Sequence, residues 1–179
     1  MGISCTFWEE IPERVEYYLN NHEWPSRVDS GLGYHDMGKS WKGFHDIFCR
    51  IGDKHSFPSN FILNGENLPN YEVEEHLKDN ARYIEWSSPF LYSVAKTKEI
   101  SEFLDSLDRS KLRQGYDSYI LDRVKSGRKL GILPKDDDYY LDKERMDTGF
   151  LEMYHSFEWI QRFFHLAAAH KNCVIGRMG

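Results

Sequence analysis

His45 and Cys49 stand four residues apart in the run Trp41-Lys42-Gly43-Phe44-His45-Asp46-Ile47-Phe48-Cys49. On a helix that spacing brings the two side chains to one face, where an imidazole can hold a thiolate for nucleophilic chemistry. The same spacing suits a buried cysteine beside a histidine that bonds a neighbouring element, since cysteine packs as a small hydrophobe. Trp41 and His45, also four apart, would present an aromatic plane and an imidazole together. With Tyr34, His35 and Asp36 folded over that face, these five residues form the candidate ligand-binding cleft of the chain.

Two His-Asp dipeptides, His35-Asp36 and His45-Asp46, match the pairing used by metal phosphohydrolases, but such centres need further ligands on separate helices. His155, His165 and His170 do not share a helical face, so they make no metal clamp. Gly31-Leu32-Gly33 lacks the preceding strand and following helix that dinucleotide binding requires. No nucleophile elbow or phosphate-binding loop is present. The expectation is therefore no metal and no cofactor, with the catalytic residues unassigned.

The elements that must position these residues follow from periodicity. Ser40 is the expected N-cap of a helix from Trp41 to Ile51, stopped by Gly52. Residues 22–39, rich in turn formers, read as a long surface loop. Ile3, Cys5 and Phe7 alternate with Ser4, Thr6 and Trp8, which predicts a strand with one apolar face. Pro12 opens a first helix with Ile11, Val15, Tyr18 and Leu19 inward. Residues 58–63 read as a short helix or strand, 73–81 as a polar helix and 82–86 as a strand. Ser93 caps a helix that buries Ile100, Phe103, Leu104 and Leu107. Asp108 or Ser110 opens another, with Leu112, Tyr116, Tyr119/Ile120 and Val124 inward and Gly127 as its stop.

The strongest pattern lies near the end of the chain. Phe150, Tyr154, Phe157, Ile160, Phe164 and Ala167/Ala168 recur every three to four residues, one long apolar stripe. That helix starts near Leu141 or after a bend at Thr148-Gly149, and Cys173-Val174-Ile175 follows it as a short strand. Both terminal strands are expected in one sheet, with the last helix over one face.

At 179 residues the chain fits one domain, 1–179, able to bury a core without disulfides. A net charge of −6 without a basic face argues against nucleic-acid binding. Three scattered cysteines fit a reducing cytoplasm, and no stretch reaches the length needed to span a membrane. Aromatic residues make up 15% of the chain, which together with the acidic balance suits a face for a basic protein partner.

Several segments, in order, resemble the bacterial YfbM-like family, a domain of unknown function. They are the Met1-Gly2 start running into a strand, Ser40-Trp41-Lys42-Gly43-Phe44-His45, and Pro58-Ser59-Asn60-Phe61-Ile62-Leu63-Asn64-Gly65. Tyr92-Ser93 leading to Ile100 and Leu104, Leu112-Arg113 with Tyr116-Asp117, Tyr140-Leu141, and Phe163-Phe164 before Ala167-Ala168 complete the set. The resemblance implies a single α/β domain, a small β-sheet holding the N- and C-terminal strands and packed by about five to seven helices. It supplies no activity and no catalytic residues. The functional expectation is a cytoplasmic protein-binding or interaction module, regulatory or immunity-type. The alternative is a small-molecule-binding protein or enzyme with its cleft near Trp41 and His45.

Overall fold

The computed structural model describes residues 4–21, 32–68, 89–135 and 138–178. Within them the chain runs β1 (Cys5–Glu10), α1 (Pro12–Asn21), β2 (Tyr34–Gly38), α2 (Trp41–Ile51), a 3-10 turn (Phe61–Leu63) and β3 (Glu66–Asn67). It continues with β4 (Phe90–Tyr92), α3 (Val94–Asp105), α4 (Arg109–Lys129), a second 3-10 turn (Tyr139–Leu141), α5 (Lys143–Ala169) and β5 (Cys173–Met178). The predicted helix at 73–81 and strand at 82–86 lie outside the described residues.

The strands form one antiparallel sheet in the order β2-β1-β5-β4-β3. The two terminal strands are neighbours: Cys5 lies opposite Met178, and Glu10 opposite Cys173. Period-two alternation sends successive side chains to opposite faces, and here both faces are covered. Phe7, Tyr92, Val174 and Met178 point into the main core, beneath α2, α3 and α5. Trp8, Leu91, Cys173 and Ile175 point the other way, onto Val15 of α1 and Leu68. Trp8, on the side of β1 read as polar, is thus buried; the alternation is apolar on both faces because the strand is central.

The stripe on α5 lies against the sheet, with Phe150, Phe157, Ile160, Phe164 and Ala167 all buried. Phe164 sits where the layers meet, its ring 5.5 Å from Phe7 and 5.2 Å from Phe61. Glycine allows the closest approaches. A side chain at Gly176 of β5 would collide with Phe90 of β4, and a Cβ at Gly115 of α4 would lie 2.9 Å from Ile51 Cγ1 of α2.

Four local expectations change. Residues 34–38 form an edge strand, not loop: backbone pairing with β1 overrides a polar, turn-rich composition. Ser40 is helical in backbone and caps nothing; its Oγ donates to Met37 O at 2.6 Å. Ile11 is exposed, since it precedes the first turn of α1 instead of sharing its buried face. Helix α4 runs past Gly127 to Lys129, because the left-handed residue that stops it is Gly131, at φ +70°. Of the two starts offered for α5, the one near Leu141 holds: the helix begins at Lys143 and passes through Gly149 unbroken, with Asp142 accepting from the Glu144 and Arg145 amides. The alternatives at 58–63 resolve to the 3-10 turn at Phe61–Leu63, and those at the start of α4 to Asp108, which accepts from Lys111 N.

Candidate functional site

Helix α2 has the predicted limits, and its faces decide the fate of the histidine–cysteine pair. Trp41, Phe44, Ile47 and Phe48 fill the core, with Trp41 only 6% exposed. His45 and Cys49 occupy the flank between core and solvent. Cys49 Sγ lies 3.7 Å from His45 Nε2, 3.9 Å from Nδ1 and 3.7 Å from Ser59 O. Burial pushes the Cys49 thiol above its ordinary range, and the carboxylates of Asp46 and Asp53 push it the same way. Burial also lowers the His45 pKa, reinforced by Lys42 and opposed by Asp46. Thiolate chemistry needs the reverse shifts, a stabilised thiolate beside an imidazolium. This pair is held as neutral thiol and neutral imidazole.

Alternation along β2 separates the three residues expected at the cleft rim. His35 lies opposite Phe7, on the core face, with its ring 6.1 Å from that of Phe163. Burial lowers its pKa. Tyr34 and Asp36, paired with Trp8 and Thr6, project from the other face. Among the described residues no three His, Cys, Asp or Glu side chains are grouped to hold a metal.

A different place gathers polar and apolar groups around open space. Between α2 and the second half of α4 lies a groove of about 700 Å³, bounded by Asp46, Arg50, Tyr119, Asp122, Arg123 and the turn from Leu130 to Leu133. The two helices are in contact at Gly43, where a Cβ would lie 3.5 Å from Tyr119 Oη. The turn is a Schellman motif: Ile132 N donates to Gly127 O at 2.9 Å and Gly131 N to Arg128 O at 3.2 Å. The turn closes on Gly127, where a Cβ would meet Leu133 Cδ1 at 2.8 Å, so the leucine side chain packs directly on the glycine. Leu133 therefore folds inward, while Leu130 and Ile132 stand 71% and 72% exposed.

The model of the family described as "Domain of unknown function (DUF1877)" matches residues 1–176. The chain belongs to this family. Among solved structures, the DUF1877 chain is similar to YfbM from Escherichia coli, a protein of unknown function, at 16% identity and a TM-score of 0.62. The match covers 98% of this chain and 99% of that one. That likeness establishes the fold and no activity. No protein with a curated description matches.

This DUF1877 domain also contains a polar cluster with no local signal in sequence. Glu9, 3% exposed at the end of β1, has its Oε1 2.7 Å from both His170 Nδ1 and Asn172 Nδ2, and its Oε2 accepts from Gly33 N at 3.2 Å. His170 and Asn172 lie up to 163 positions from Glu9 and reach it through the pairing of β1 with β5, while Gly33 reaches it from the β2 side. Charge-assisted bonds of this kind offset the cost of burying a carboxylate. They tie the end of α5 to the sheet. No helix among the described residues is long and apolar enough to cross a membrane.

Proposed function

We infer that this DUF1877 domain is a protein-interaction module whose contact surface is the groove between α2 and α4, rimmed by the turn at 130–133. The observation that carries this reading is the display of Leu130 and Ile132 on a turn closed by two backbone hydrogen bonds and a left-handed glycine. Two aliphatic side chains fixed in water beside a recess gain from being covered, and such patches are where partners dock. Tyr140 borders the same groove and packs edge-on with the half-exposed Tyr139, which extends the aromatic surface. The net charge of −6 favours encounter with a basic protein. A small-molecule cleft on Trp41 and His45 has less support, because the indole is in the core and is not open to stack a ligand.

The test places a photo-crosslinking amino acid at Ile132 and, as control, at Glu99 on α3. Position 132 is expected to yield a discrete crosslinked protein in the host cell, and Leu130→Asp is expected to abolish it without lowering the melting temperature. Identical crosslinking from both positions, or indifference to Leu130→Asp, would refute the assignment.

A further inference from the structure

We propose that the segment docking in this groove carries a carboxylate, and that Arg123 binds it as a bidentate ion pair beside the apolar turn. The proposal rests on the interaction-module reading above and names the chemistry of the partner's contact.

The charge balance of the groove carries it. Four charged side chains line the recess: Asp46, Arg50, Asp122 and Arg123. Three of them are already engaged. Arg50 Nη1 lies 2.7 Å from Asp122 Oδ2 and also donates to Ser118 Oγ at 3.2 Å. Asp46 Oδ2 lies 3.3 Å from Lys42 Nζ, one turn back along α2. Arg123 has no carboxylate within ion-pair distance among the described residues. Its guanidinium carbon lies 5.6 Å from the Tyr119 ring centroid, and Nη1 donates to Tyr119 Oη at 2.8 Å.

That arrangement positions the cation without consuming it. A guanidinium has five N–H donors in a rigid plane, and the bond to Tyr119 uses one. The edge formed by Nε and Nη2 keeps two parallel donors, the geometry that matches the two oxygens of a carboxylate. The bond to Tyr119 Oη removes part of the rotamer freedom that an exposed arginine would otherwise lose on binding. Val124 and the turn residues Leu130, Ile132 and Leu133 line the same recess, so a bound segment that excludes water there strengthens the ion pair. The sign is local. The net charge of the whole chain favours basic proteins, whereas in this recess Arg123, within electrostatic reach of Asp46, has no direct ion-pair partner among the described residues. The occupant is therefore a peptide segment with an apolar side chain next to an acidic residue.

A random dodecapeptide library displayed on phage, panned against the whole chain, tests this directly. Selected peptides are then synthesised with a fluorophore and titrated by anisotropy against wild type, Arg123→Gln, Arg123→Lys and Ile132→Asp, each checked for an unchanged melting curve. The expected peptides share a carboxylate beside an apolar residue. Arg123→Gln is expected to weaken them roughly tenfold or more, as is replacing the peptide carboxylate by its amide, and the two losses should not add. Arg123→Lys, which keeps the charge without the fork, should recover only part of the affinity. Peptides that need Ile132 but bind Arg123→Gln as tightly as wild type would overturn the carboxylate assignment while leaving the interaction surface standing. Failure to select any peptide sensitive to Ile132→Asp would overturn both.

Discussion

Truncating Phe164 to alanine removes a ring that is fully buried where α5, β1, β4 and the first 3-10 turn converge. Its neighbours are Phe7 at 5.5 Å, Phe61 at 5.2 Å, Phe163 at 5.3 Å and Tyr92 at 6.4 Å between ring centroids. Core Phe→Ala substitutions cost about 3–5 kcal/mol, and the value within that range depends on how far the surroundings collapse into the void. Here the lining rings are anchored on separate elements. Phe7 is held by strands on both sides, and the Tyr92 hydroxyl is bonded to the Phe61 carbonyl. The cavity should therefore persist, which places the expected loss at about 4–5 kcal/mol. For a chain of this size each kcal/mol corresponds to about 2–4 °C, so the melting temperature should fall by about 8–20 °C. Urea unfolding followed by far-UV circular dichroism measures it, with an unchanged slope confirming that stability alone has altered. A loss below about 1 kcal/mol would mean that the ring is not packed between the layers, and the account of the core would fail.

Helices α4 and α5 both end in Schellman motifs, one with Gly131 and the other with Lys171 in the left-handed region, at φ +58°. Lys171→Gly should raise stability by about 0.5–1 kcal/mol in denaturant unfolding, and a loss would contradict the backbone assignment. Gly176→Ala should destabilise by about 1–3 kcal/mol, since the methyl meets the Phe90 ring on the neighbouring strand; a silent substitution would show that β4 and β5 are not packed in this register. Burial lowers the His45 pKa from 6.5, so the unfolded chain takes up the proton first on acidification, and stability is lost as the pH falls through and below that value. His45→Gln should accordingly cost less stability at pH 5.5 than at pH 7.5, and a constant difference would show that the imidazole is not desolvated.

Much of this architecture was legible because it is periodic. The spacing of Trp41, Phe44 and Phe48 marked the buried face of α2, and Phe150 to Ala167 that of α5. The apolar alternation at each end of the chain placed both terminal strands in one sheet. Such patterns are local, since a helix or strand shows the same face wherever it is built, and burial of that face selects its partners. Tyr34–Gly38 carries no strand signal of its own, and only the free edge of β1 makes it β2. Glu9 met His170 and Asn172 through strand register, at separations that no local motif spans. Trp41 and His45, neighbours by spacing, part at the boundary between core and solvent, because the width of the buried face depends on what packs over it. The groove beside Arg123 arises in the same way. Its wall is a turn whose direction is set by the left-handed backbone of Gly131, and its floor is set by how closely α4 approaches α2. Periodicity chose the faces; the pairing of distant surfaces decided which polar groups meet and which apolar ones stay in water.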